Sequence, residues 1–223
     1  MKMAALFSGG KDSTFAAWKA VQRGDEIVSL VSFISENPDS YMFHHPNIQW
    51  TRLQAEAMGI PILHIPTKGE KEKELEDIEQ ALRKLKPGIR GVTVGALASE
   101  YQRFRIARIC RKLGLEVFAP AWKRDPGGYW EELLGGGFRV IITKVACEGL
   151  GKEWLGREIT SRNFPELRRL SQKFRFHLGF EGGEAETFVL DCPLFKKKVE
   201  VLEGEVEWDG DSGVFLIRKA ALA

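Results

Sequence analysis

Short apolar runs alternate with helical patterns through the first half of the chain. Residues 4–7, 27–34, 62–65, 91–94 and 116–118 are compact apolar segments that predict strands. Between them, 11–23, 48–58, 71–85 and 101–113 predict helices. Phe15, Trp18 and Val21 recur at helical spacing in the first of these. In the last, Ile106, Ile109, Cys110 and Leu113 form a stripe, with Arg105, Arg108 and Lys112 on the other side. Strands alternating with helices imply βαβ units and a parallel sheet buried on both faces. Ligands on such sheets bind beyond the carboxyl ends of the strands.

After Ala119-Pro120-Ala121-Trp122 the rhythm changes. Pro126-Gly127-Gly128 and Gly135-Gly136-Gly137 read as turns around a short helix over 129–134. A strand over 139–146, a helix over 163–173 and a hairpin follow, the hairpin running out over 198–208, turning at 209–213 and returning over 214–217. The pattern therefore predicts a parallel-sheet α/β part over 1–120 and a smaller α+β part over 121–223. The charge run 70–79 reads as the solvated face of a helix. No internal repeat or low-complexity tract is present.

Composition narrows the function classes. At 223 residues, with 43% hydrophobic and 29% charged residues, the chain is ordinarily globular rather than disordered. Lys+Arg 33 against Asp+Glu 31 leaves +2, too balanced for non-specific nucleic-acid binding, so no nucleic-acid partner is expected. The three cysteines are scattered and form no CxxC pair, which argues against a disulfide framework or a cysteine zinc site. No run approaches the ~18 apolar residues of a membrane span, and 3–7 is too short for a signal peptide. A cytoplasmic protein is expected. Scarce Asn and Gln beside plentiful Lys and Glu lean toward a thermophilic source.

The strongest chemical signal lies between the first strand and the first helix, at Ser8-Gly9-Gly10-Lys11-Asp12-Ser13. Two glycines allow a tight turn and close approach of the backbone, and the amides that follow open a helix N-terminus, a ready anion site. Lys11 adds a point charge for phosphate from an exposed loop, Ser8 and Ser13 add hydroxyls, and Asp12 can hold Mg²⁺. A simple β–α turn capped by Asp12 or Ser13 would share part of this pattern. The spacing is neither a Walker A loop nor a GxGxxG turn.

SGGKDS resembles the PP-loop of the ATP pyrophosphatases, whose fold is that of the adenine nucleotide alpha hydrolases. Three further stretches sharpen the resemblance: 35–47 with Asp39-Ser40-Tyr41-Met42-Phe43-His44, 95–105 with Gly95-Ala96 and Ser99-Glu100-Tyr101-Gln102-Arg103-Phe104-Arg105, and 179–187 with Glu181-Gly182-Gly183-Glu184-Ala185-Glu186-Thr187. Together they resemble the diphthine–ammonia ligase family over nearly the whole chain, and its members of archaeal and thermophilic origin in particular. Phe180 and Ala185 depart from its pattern.

The resemblance implies an ATP-dependent amidation that completes diphthamide on translation elongation factor 2. ATP would activate the diphthine carboxylate as an acyl adenylate; ammonia would displace AMP, after pyrophosphate has left. It places ATP, with Mg²⁺ at Asp12, on Ser8, Gly9, Gly10, Lys11, Asp12, Ser13 and Gln102. Arg103 and Arg105 would stabilise charge at the α-phosphate, or lie as surface arginines on an amphipathic helix. Tyr41, His44, Tyr101, Glu181, Glu184, Glu186 and Thr187 would face the substrate. Glu184 and Glu186, with Lys11 and Asp12, are the candidates for a direct part in catalysis. The acids suit either the trimethylammonium of diphthine or the incoming ammonia. His64 and His177 read as structural. A tRNA-modifying PP-loop enzyme and an ATP-binding module without turnover are the rival readings; oligomeric state is open.

Overall fold

The structure, a computed structural model, describes residues 1–35, 47–68, 73–95 and 100–223, with the backbone alone at 73 and 100–103. Strands β1 (Lys2–Leu6), β2 (Glu26–Ser35), β3 (Ile62–Thr67), β4 (Gly91–Thr93) and β5 (Glu116–Phe118) form one parallel sheet in the order β3-β2-β1-β4-β5. Helices α1 (Lys11–Gln22), α2 (Thr51–Met58), α3 (Lys73–Leu85) and α4 (Glu100–Leu113) connect them. Alternation along β1 divides the core in two. Met3, Ala5 and Phe7 pack with Ala17, Ala20, Ala55 and Met58, whereas Ala4 packs with Ile78, Leu82, Ile106, Ile109 and Leu113. Burial on both faces is what the continuous apolar runs predict. Strand order reverses between β1 and β4, so the crevice expected for a ligand opens beyond their carboxyl ends.

The second part is built on an antiparallel sheet. Its central strand β6 (Arg139–Val145) pairs with β7 (Glu158–Ile159), β8 (Ala185–Asp191) and β10 (Gly213–Leu222), and β9 (Val199–Trp208) pairs with β10. Helices α5 (Pro126–Gly135) and α6 (Phe164–Phe174) accompany it. The largest apolar cluster among the described residues crosses from one part to the other. Phe15 and Trp18 of α1 pack with Tyr129, Trp130 and Leu133 of α5 and with Val140, Ile142 and Val189 of the sheet. Phe15 meets Tyr129 edge-on at 4.9 Å between ring centroids, and Lys19 pairs with Glu132 at 3.1 Å.

Several boundaries differ from the pattern-based expectation. The segment 48–58 divides into a 3₁₀ turn, Ile48–Trp50, and α2. Its start is tied to the hairpin: Asn47 Nδ2 donates to the Phe215 carbonyl at 2.8 Å, and Trp50 Nε1 to the Ile217 carbonyl at 2.8 Å. The supposed turn at 126–128 is the first turn of α5. Pro126 sits where its missing N–H is harmless, and the Asp125 carboxylate accepts from the Gly128 amide at 2.7 Å. Within the acidic segment 181–187, strand β8 already starts at Ala185. β10 continues to Leu222 through two register irregularities that break its alternation.

Helix α5 carries Tyr129 toward the crevice, so its start bears on the site. Asp125→Ala removes the cap and should cost about 1 kcal/mol of unfolding free energy. Chemical denaturation measures it; an unchanged midpoint would show that α5 needs no cap.

Candidate active site

The segment 8–13 occupies the predicted place, running from just after β1 into the first turn of α1. Gly9 has φ +80°, and a Cβ there would fall 2.4 Å from Gln54 Oε1. A Cβ on Gly10 would lie 3.0 Å from the Thr187 carbonyl oxygen. The glycines are therefore needed for a positive φ and for close approach to α2 and β8. Gly10 is the N-cap of α1 and offers no side-chain acceptor; the amides of Asp12 and Ser13 find none among the described residues. The Ser8 and Ser13 hydroxyl oxygens stand 3.3 Å apart, and the Ser8 amide donates to Ser13 Oγ at 3.2 Å. Open amides and two hydroxyls at a helix start make an anion cradle.

What holds this cradle comes from outside it. The Val189 amide donates to the Gly9 carbonyl at 3.0 Å, and Gln54 Nε2 bridges the carbonyls of Gly9, at 2.9 Å, and Val189, at 2.7 Å. Thr187 Oγ1 accepts from the Lys11 amide at 3.1 Å. The loop thus covers an edge of β8 on the side away from β6. Gln54 is fully buried, and its Oε1 has no hydrogen-bond partner among the described residues. Gly95, just beyond β4, backs the other side: a Cβ there would lie 2.5 Å from the Ser13 nitrogen.

Lys11 departs from expectation. Its side chain is 2% exposed and points into the second part rather than lying on an exposed loop. Its ammonium donates to the Gly179 carbonyl at 2.8 Å and to both Asp12 oxygens at 2.9 and 2.8 Å. The rings of Tyr129, Trp130 and Phe180 surround it with centroids at 5.8, 5.7 and 5.5 Å. Cation–π attraction and three charge-assisted bonds offset the cost of burying the charge. The Tyr129 hydroxyl donates to Asp12 Oδ1 at 2.7 Å. Burial, then the Asp12 charge, pushes that hydroxyl well above the usual tyrosine range, so it remains a donor.

The acids at 181–186 serve different local purposes. Glu184 accepts from the amides of His177, at 2.9 Å, and Gly182, at 2.7 Å, and so shapes the turn. Glu186 pairs with Lys144 directly across from it on β6, at 3.2 Å. The charge of Glu181 is close enough to contribute to the Tyr129 shift. Thr187 reaches the loop itself. Arg105 is half-buried on α4. Tyr41 and His44 lie outside the described residues, as do the side chains of Tyr101, Gln102 and Arg103, whose backbone forms the first turn of α4.

The two described histidines, His64 and His177, sit in local hydrogen bonds. His64 takes the Arg52 guanidinium on Nδ1 at 3.0 Å and lies 2.8 Å from Thr51 Oγ1, while burial, then Arg52, pushes its pKa down. His177 Nδ1 accepts from the Glu181 amide at 3.4 Å. Burial raises the thiols of Cys110 and Cys192 to about 12 and that of Cys147 to about 11. These thiols stay protonated near neutrality.

Sequence reasoning missed Gln54, Tyr129 and the backing role of β8. Gln54 had a readable signal: a polar residue on the face of α2 that also carries Thr51, Ala55 and Met58. Tyr129 had none, because an aromatic in a short helix reads as core.

Gln54→Leu keeps the volume but leaves the Val189 carbonyl without its donor, which should cost about 1–3 kcal/mol. The loosened loop should also bind ATP more weakly. Calorimetry on the variant decides it; wild-type stability together with wild-type ATP affinity would show that the tie is dispensable. The raised thiols predict, in turn, that iodoacetamide labels the native protein far more slowly than the denatured chain. A native cysteine that reacts like a free thiol would contradict the burial.

Comparison with known proteins shows what the chain is similar to. The family model described as the diphthamide synthase N-terminal domain matches residues 1–117, and that of the diphthamide synthase C-terminal domain matches 125–223. A diphthine–ammonia ligase of Danio rerio is 39% identical over 222 residues, spanning 89% of this chain and 86% of that protein. The human enzyme of the same name is 36% identical over 92% of this chain and 85% of its own length. The Schizosaccharomyces pombe protein is 33% identical over 92% of this chain, which covers 37% of that longer protein. A solved structure described as a predicted subunit of tRNA methyltransferase from Methanocaldococcus jannaschii aligns with 86% of this chain and 98% of that one, at TM-score 0.48 and 15% identity. With both halves of the chain matched in order and the relatives aligned over most of its length, the chain belongs to the diphthamide synthase family.

Proposed function

We propose that this chain amidates the diphthine carboxylate of translation elongation factor 2 with ammonia, at the expense of ATP cleaved to AMP and pyrophosphate. The observation that carries the reading is the cradle at 8–13, open toward the crevice and held from behind by β8, in a chain of this family. A carboxylate is a poor electrophile because oxide would have to leave. Attack of a carboxylate oxygen on the α-phosphorus of ATP releases pyrophosphate and gives an acyl adenylate. Ammonia then adds at the carbonyl carbon, AMP departs, and the nitrogen loses a proton.

Within this reading the amides of Asp12 and Ser13 and the hydroxyls of Ser8 and Ser13 hold phosphate oxygens, with Gly9 and Gly10 letting them approach. Gln102, Arg103 and Arg105 belong to the segment that follows β4 and would meet the nucleotide from that side. Mg²⁺ fits the residue set, because it takes one or two carboxylates together with substrate phosphates and Asp12 keeps a 30% exposed side chain at the loop; it would neutralise phosphate charge. The acidic segment, with Thr187, faces the substrate, Glu184 by shaping the turn that carries Glu181. A field of carboxylates suits either the trimethylammonium of diphthine or ammonium. The division of labour is nucleotide on 1–120 and protein substrate on 121–223, with β8 lending its edge to the nucleotide side. No helix among the described residues is long and apolar enough to cross a membrane.

The direct test supplies ATP, ammonium and purified elongation factor 2 bearing diphthine. Over many turnovers AMP and pyrophosphate should form in equal amounts with the amide, and sustained turnover should need all three components. Formation of ADP, or turnover indifferent to ammonium, would contradict the reading. In the same assay Glu181→Gln should lower amide formation by on the order of 10²-fold if that acid positions substrate or takes a proton. Rescue by more protein substrate marks trimethylammonium recognition; rescue by more ammonium marks service to ammonia.

A further inference from the structure

Asp12 is the only acid in the loop, and its carboxylate is held from behind by two groups with little freedom to move. The Tyr129 hydroxyl reaches Oδ1 at 2.7 Å from a fully buried ring, itself fixed edge-on against Phe15. Lys11 Nζ spans both oxygens, anchored at its far side by the Gly179 carbonyl and the three rings. To reach a phosphate, Lys11 would have to abandon Gly179, Asp12 and its aromatic surroundings together. The Asp12 side chain is nonetheless 30% exposed, so it is not sealed from solvent. Each carboxylate oxygen has lone-pair capacity beyond the bonds it already accepts.

We propose that Tyr129 is a positioning residue that, with Lys11, holds the Asp12 carboxylate in place for the Mg²⁺ that accompanies ATP, and that Lys11 acts on Asp12 rather than on phosphate. The proposal rests on the ATP reading above. It adds a residue from the second part of the chain to the nucleotide site, and gives Lys11 a different task from the phosphate contact its sequence position suggests. Groups hydrogen-bonded behind a metal ligand fix its orientation, and their loss typically lowers metal affinity about 10–100-fold.

The test uses the full chain and ATP binding by calorimetry, in EDTA and across a series of free Mg²⁺ concentrations. Tyr129→Phe deletes one oxygen and keeps the ring, so thermal unfolding should stay close to that of the wild type. ATP binding in EDTA should be unchanged, and the Mg²⁺ needed for half-maximal enhancement should rise about 10-fold or more. An unchanged Mg²⁺ dependence overturns the proposal. Lys11→Met, which refills the aromatic surroundings without charge, should keep ATP affinity in EDTA; loss of that affinity would make Lys11 a phosphate contact and overturn its part. Asp12→Asn should blunt the Mg²⁺ dependence, and full retention there overturns the metal role on which the inference stands. A wild-type chain that binds no ATP under any condition sinks the ligase reading itself, whereas wild-type binding with an unaltered Tyr129→Phe sinks only the positioning role.

Discussion

The carbonyl of Gly9 is the point on which the site depends. It accepts from the Val189 amide and from Gln54 Nε2, and Gln54 also takes up the Val189 carbonyl. A β-strand edge carries unpaired donors and acceptors that require partners. Here the loop and a buried glutamine supply them, so covering one edge of β8 and shaping the loop are the same interaction. An anion cradle built from backbone amides is useful only if the backbone does not move, because preorganised donors need no rearrangement when charge arrives. The strand that fixes the loop comes from more than 170 positions later in the chain (Lys11 to Thr187, a separation of 176).

A second consequence concerns charge. Lys11 is buried and pairs with the partly exposed Asp12 at 2.8 Å, so the two do not present independent charges to solvent. Their surroundings are aromatic and come from α5 and from the segment at 179–180. Phe180 holds a positive φ of 65° beside the Gly179 carbonyl that caps the ammonium. Such a conformation is uncommon for a bulky residue and needs its surroundings to hold it; packing against Trp130 and Phe176 provides that hold. The apolar cluster shared by α1, α5 and the antiparallel sheet then makes the two parts mechanically continuous at the site.

Much of this was legible in the residues. The parallel sheet followed from apolar runs separated by helical patterns, and a ligand site beyond the strands' carboxyl ends from the position of SGGKDS after the first strand. The acid-rich segment 181–187 was legible as chemistry, but its start as strand at Ala185 was not, since alternating Glu186 and Thr187 near two glycines looks like a turn. Long-range pairings leave the weakest trace. Nothing near Val189 announces that its amide faces Gly9, and nothing near Tyr129 announces Asp12. Lys11 was misjudged for a related reason: local sequence shows a lysine in a loop, while its burial is decided by three rings at 129, 130 and 180. Gly95 read as part of a motif, and its physical reason, contact with the Asp12–Ser13 peptide, appears only when β4 is set beside β1.

Amide hydrogen exchange at Val189 tests this account most directly, followed by NMR on the ligand-free protein. If the Gly9 carbonyl holds that amide, Val189 should exchange as slowly as residues paired within the sheet, such as Ile141 on β6, and the Lys11 amide should be protected alongside it. A Val189 amide that exchanges at the rate of an open strand edge would contradict the claim that β8 fixes the loop.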